Sequence, residues 1–145
     1  MKKGILAVFA LFLLCAVLLA APKADAATSG TCGENLTWTL DDAGTLTISG
    51  TGPMYSFDDA SGVAVPWASQ RDQIRTVIVE EGVTSIGNCA FMHCNQLIEV
   101  TLPDSLLDIG SCAFMWCESL KDVTIPDSVT QIGQSAFSYC AGLEN

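Results

Sequence analysis

The chain has 145 residues, with 16 acidic against 6 basic side chains and a net charge of −10. That balance leaves no Lys/Arg cluster of the kind a nucleic acid or an anionic membrane surface requires. Acidity of this degree suits solubility outside the cell and by itself selects no ligand.

Met1-Lys2-Lys3 is a short positive segment, followed by an uninterrupted apolar run from Gly4 to Ala21 and a small-x-small sequence, Ala24-Asp25-Ala26. This is the layout of a secretory signal peptide over residues 1–26, with an uncleaved membrane anchor as the competing reading. Cys15 lies inside the apolar run behind Leu14, so a lipid-attachment site is rejected. Removing residues 1–26 leaves 119 residues, with Arg71, Arg75 and Lys121 against fifteen carboxylates, a net charge near −12. That length suffices for one domain or a short solenoid.

Residues 27–73 read as a β-rich N-terminal capping segment. Leu36, Trp38 and Leu40 alternate on one face of "NLTWTL", and Leu46 and Ile48 do so in "TLTISG". The Asp-Asp-Ala-Gly between them is a turn sequence, which predicts a hairpin. Beyond it the chain is turn-rich and irregular, with Met54, Tyr55, Phe57, Val63, Val65 and Trp67 as scattered anchors. An independent carbohydrate-binding module built on Trp38, Tyr55 and Trp67 is small for about 40 residues. A cap over the first coil of a solenoid explains them more cheaply.

From Ile74 to Asn145 the sequence repeats every 23 residues without insertion or deletion. Units begin at Val83, Leu106 and Val129, and their columns are Ile86/Ile109/Ile132, Gly87/Gly110/Gly133, Ala90/Ala113/Ala136, Phe91/Phe114/Phe137, Cys94/Cys117/Cys140 and Leu97/Leu120/Leu143. "LIEVTLP" and "LKDVTIP" alternate as strands do, and their prolines close the strand. The "xIGxxAFxxC" segment spaces its apolar positions by three or four, predicting a turn or so of helix on the opposite side. The fold class is therefore an α/β-type repeat solenoid with a parallel strand per coil, short helical or turn segments behind, and about three coils. Thr76, Ile78, Glu99, Thr101, Asp122 and Thr124 point away from the core and form the candidate interaction face. The last unit stops at Asn145 before its strand, so the expectation is either a piece of a longer array or an open edge that pairs edge to edge with a partner, self-association included.

The cysteines raise the question of chemistry. Cys89 and Cys94, and Cys112 and Cys117, have four residues between them, so a four-thiolate metal site is countable. Yet Cys94, Cys117 and Cys140 occupy one repeat column beside Phe91, Phe114 and Phe137, the place of a small buried apolar residue in a core ladder. Cys89 and Cys112 occupy another column, which becomes Ser135 in the third unit, and coil stacking near 5 Å brings that pair within disulfide reach. His93 stands in the column of Trp116 and Tyr139, a partly exposed ring position, and nothing orients it for catalysis. The carboxylate pairs Asp41-Asp42, Asp58-Asp59 and Glu80-Glu81 lack calcium-loop spacing. No catalytic residue, cofactor or metal is expected.

The "LxxVxIPxxVxxIGxxAFxxC" pattern resembles the leucine-rich repeats of the bacterial surface-antigen type, known from spirochaete and Bacteroidetes surface proteins. The residues that carry it are Leu97, Val100, Leu102, Pro103, Leu106, Ile109, Gly110, Ala113, Phe114 and Cys117, and their equivalents from Leu120 to Cys140. Cys32, Gly33, Asn35 to Leu40, Gly44 to Gly52, Met54, Pro66 and Trp67 likewise resemble segments that precede such repeats in secreted proteins of gut Firmicutes. The resemblance implies a secreted or cell-surface protein that binds a protein or a cell-surface glycan, and it lends no activity. The rival expectation is a structural spacer or a repeat fragment with no ligand of its own.

Overall fold

The computed structural model describes residues 28–58 and 61–144. The expected signal peptide, residues 1–26, lies outside them. Among the described residues there are ten strands: β1 (Ser29–Thr31), β2 (Leu36–Leu40), β3 (Thr45–Gly50), β4 (Gly52–Pro53), β5 (Thr76–Val79), β6 (Val83–Ile86), β7 (Glu99–Thr101), β8 (Asp108–Ile109), β9 (Asp122–Val123) and β10 (Gln131–Ile132). They form two sheets. One runs β1-β2-β3-β5-β7-β9, and the other β10-β8-β6-β4.

The hairpin forms as its sequence predicts. β2 and β3 pair antiparallel with Leu36, Trp38 and Leu40 buried, and Asp41 holds the turn by accepting from the backbone N–H groups of Ala43 and Thr45 at 2.9 and 2.8 Å. From β3 onward every pairing in the first sheet is parallel, through β5, β7 and β9. The side chains on the inner face, Leu46, Ile48, Val77, Val79 and Val100, are buried in one continuous core.

The second sheet was not visible in the repeat pattern. "VTSI" and its equivalents contribute β6, β8 and β10, so Ile86 and Ile109 pair in register and are buried. A two-residue strand carries too few alternations to register as one. Each coil therefore has two strands, where the sequence predicted one strand with short helical or turn segments on the other face.

Part of the segment expected to be a cap, residues 27–73, pairs as a coil of the solenoid. β3 pairs with β5 by an offset of 31 residues (Thr45 to Thr76), and β4 pairs with β6 by the same offset (Gly52 to Val83). Residues 45–75 are thus a complete coil of the solenoid, eight residues longer than the 23-residue period. The extra length falls after β4, in the irregular stretch before the short 3-10 helix Ala68–Gln73. Trp67 fills the place that phenylalanine holds in later coils. Its ring stacks on Phe91 at 5.4 Å, Phe91 on Phe114 at 5.1 Å, and Phe114 on Phe137 at 5.2 Å.

The back of each coil is a tight turn, and its hydrogen bonds explain why it is not helical. Ala90, Met92 and Cys94 donate locally to Gly87, Cys89 and Phe91. The alternate residues Cys89, Phe91 and His93 donate instead to Ser111, Ala113 and Met115 of the next coil, at 3.0, 2.8 and 2.9 Å. Cys112, Phe114 and Trp116 repeat this toward Gln134, Ala136 and Ser138. A helix sends all its N–H groups along one axis. Here positive φ at Cys89, His93, Cys112, Trp116, Ser135 and Tyr139, between 56° and 64°, turns every second N–H toward the neighbouring coil. Non-glycine residues pay for that conformation, and stacking between coils holds it.

Candidate functional site

The outer surface of the first sheet carries the candidate face. Thr76, Glu99 and Asp122 stand side by side in the register of β5, β7 and β9, and Ile78 stands beside Thr101. Glu99, Thr101, Asp122 and Thr124 are exposed, while Thr76 and Ile78 are half-buried between neighbouring strands. Glu99, Thr101, Asp122 and Thr124 line a shallow groove of about 490 Å³, with Lys121 and Asp104 at its margin. Two carboxylates directly opposite each other on adjacent strands are a local liability.

The rows continue where the sequence gave no register. Thr101 and Ile78 align with Thr47, Thr39 and Ser29, and Thr76 aligns with Thr45. A third short row joins Thr31, Thr37 and Ser49. The face is thus a hydroxyl-lined sheet across six strands, acidic at its C-terminal end. "LTWTL" and "TLTIS" show the alternating threonines. Their alignment with the repeats was hidden by the 31-residue offset.

The other sequence candidates lie elsewhere. Phe91, Phe114, Cys94 and Cys117 are fully buried, and Phe137 and Cys140 are partly buried at the last coil. Cys117 and Cys140 donate their S–H to the carbonyls of Phe91 and Phe114, at 3.2 and 3.1 Å, so each thiol bonds to the preceding coil. Burial pushes the Cys32 and Cys94 thiols up from 9.0 to about 12, and raises Cys117 and Cys140 as well. No disulfide joins the six described cysteines. Cys89 and Cys112 are half-buried in stacked turns of matching conformation, with φ of 57° and 56°. His93, Trp116 and Tyr139 stack ring on ring at 6.1 and 4.1 Å, with Trp116 between the two exposed end rings.

The raised thiols fix a pH dependence. Unfolding returns each thiol to an ordinary value near 9.0, so above that pH the unfolded chain releases protons that the fold retains. Stability is therefore full below pH 9 and falls as pH rises from 9 toward 12. In the native protein at pH 8, an alkylating reagent should leave Cys32, Cys94 and Cys117 unmodified. After denaturation of residues 27–145 all six cysteines of that stretch should react. Four reactive thiols would instead establish a Cys89–Cys112 bond, and rapid native modification of Cys94 would contradict the buried ladder.

Short parallel strands, apolar columns and stacked turns recurring every 23 residues define a leucine-rich repeat solenoid. The chain belongs to the BspA type leucine-rich repeat family, whose six-copy repeat region matches residues 69–145. A leucine-rich repeat protein from Eubacterium ventriosum is 30% identical over 78% of this chain, with a TM-score of 0.61. The match covers 36% of that protein, so this chain spans about a third of its length. A leucine-rich repeat protein from Bacteroides capillosus shares the fold at 23% identity and a TM-score of 0.54, over 82% of this chain and 96% of that one. No curated protein matches the chain. Leucine-rich repeat solenoids generally serve as scaffolds for binding proteins or glycans. Among the described residues no group of three or more His, Cys, Asp or Glu side chains is placed to hold a metal.

Proposed function

We propose that the protein is secreted or displayed at the cell surface and recognises an extracellular protein or a cell-surface glycan through the outer face of its first sheet. The observation that carries this reading is the aligned face itself: rows of threonine and serine hydroxyls lead to Glu99 and Asp122 beside an open groove. Such a face offers many acceptors in fixed positions, which suits a ligand rich in donors, either sugar hydroxyls or a basic peptide surface. A donor seated between Glu99 and Asp122 would also relieve their mutual repulsion. The signal-peptide layout of residues 1–26 supports export. Residues 28–44 serve in this reading as the N-terminal cap, with β1 covering the outer edge of the hairpin.

The test is retention of the secreted form on glycan and extracellular-protein arrays, both as a monomer and as a tethered multimer, since a small face gains from multivalency. Alanine at Glu99, Thr101, Asp122 and Thr124 together should leave the melting temperature within about 3 °C, as expected for exposed positions. The same change should abolish retention. Undiminished binding by the quadruple variant would move the site off this face. No binding in either format would favour the rival, a structural spacer.

A further inference from the structure

The column formed by Cys89, Cys112 and Ser135 lies outside both the core ladder and the sheet face. All three residues hold the same left-handed backbone conformation, with φ of 57°, 56° and 58°. Cys89 donates its backbone N–H to Ser111 and Cys112 donates its own to Gln134, both at 3.0 Å, so one turn geometry is repeated one coil apart. The Cys112 S–H leans the same way, toward the Gln134 carbonyl at 3.9 Å. Both cysteines are half-buried, whereas Cys94 and Cys117 are sealed in the core. Chain lies on both sides of the pair. Phe57 and the Trp67 indole bond to the carbonyls of Asn88 and Ala90, and the Gln134 turn follows, so the half-burial is a property of the column.

We propose that Cys89 and Cys112 together bind one soft monovalent metal ion, Cu(I), between their sulfurs. Backbones of equal conformation in stacked coils hold their Cβ atoms near the coil spacing of about 4.8 Å. That is longer than the separation of about 3.5–4.5 Å that suits a disulfide. It matches two metal–thiolate bonds of about 2.3 Å placed end to end. The four-thiolate site countable in the sequence is not formed, because Cys94 and Cys117 turn into the core. Among the described residues no third His, Cys, Asp or Glu stands with the pair to hold a metal. Zn(II) requires four donors, so two thiolates alone suit a soft ion that accepts linear coordination. Each thiol gives up its proton to solvent as the ion binds, two protons per Cu(I) and no change of oxidation state. Affinity therefore rises with pH.

The probe is Cu(I) buffered by a competing chelator, titrated without oxygen into the full chain with its thiols reduced. One tightly held Cu(I) per chain, an ultraviolet thiolate-to-copper charge-transfer band and protection of Cys89 and Cys112 from alkylation are expected. Cys89→Ser and Cys112→Ser should each weaken binding by about a hundredfold or more, since even an outer partner of a metal ligand is worth tenfold to a hundredfold. Serine already holds this turn at Ser135, so both variants should keep the melting temperature within about 3 °C. No binding above that of the double variant overturns the proposal, as does a copper complex unchanged by both substitutions. Zn(II) held as tightly as Cu(I) would overturn it by requiring more donors than the pair supplies. Recovery of the native protein with these two thiols already joined would overturn it as well.

Discussion

Gly110→Ala is expected to cost about 3 kcal/mol, at the upper end for overpacking a tight interior. The reason is space. Gly110 has no positive φ, so its role is not conformational freedom. A Cβ there would lie 2.6 Å from the backbone nitrogen of Asn88 and 2.7 Å from both its Oδ1 and the Gly87 carbonyl carbon. Backbone of the preceding coil cannot yield as a flexible side chain would. Asn88 is also a junction: its Nδ2–H donates to Asp58 at 2.7 Å and its Oδ1 accepts from the Ser111 N–H at 2.8 Å. Forcing the coils apart breaks contacts on both sides. In a solenoid, stability is a sum over neighbouring interfaces, so weakening one uncouples what lies beyond it. Urea unfolding followed at Trp116 should therefore shift to lower denaturant than unfolding followed at Trp38 and Trp67. A change below about 0.5 kcal/mol, the level of an ordinary surface substitution, would mean the coils separate without strain. Gly133 meets the Ser111 backbone in the same way, and Gly87 meets the Tyr55 carbonyl, which accounts for the whole glycine column.

Phe114→Ala should destabilise the protein by about 3–5 kcal/mol, the range for emptying a large buried aromatic site. Phe114 is fully buried and stacks on both sides, on Phe91 at 5.1 Å and on Phe137 at 5.2 Å. Its removal opens a gap in the middle of the ring column that neither neighbour can close without moving its own coil. Phe137→Ala should cost roughly half as much, because that ring is only partly buried and has a stacking partner on one side. Equal losses at the two positions, read as urea midpoints at constant slope, would contradict a core that thins toward the last coil.

These two residues mark how far the sequence could be read. The Phe and Gly columns were legible because each coil repeats the same contacts at the same spacing, so a side chain's neighbours are its own counterparts. Thr76, Glu99 and Asp122 were placed on one row for that reason. Thr39, Thr45 and Thr47 were not, because the eight extra residues between β4 and β5 break the period while leaving the strand pairing intact. Trp67 was read as a scattered anchor of the cap. Only its position under Phe91, and its indole bond to Ala90, show it as the first ring of the column.

The sequence by itself determined the period, the identity of the core columns, the hairpin and the acidic end of the sheet face. All of these follow from which side chains must leave water. The tertiary structure alone decided the second sheet, the extra coil in residues 45–75 and the one-way ladder along the back. Those depend on where backbone N–H groups point. That direction is set by alternating φ values at residues as unlike as cysteine, histidine, tryptophan, serine and tyrosine, and becomes fixed only when one coil stacks on the next.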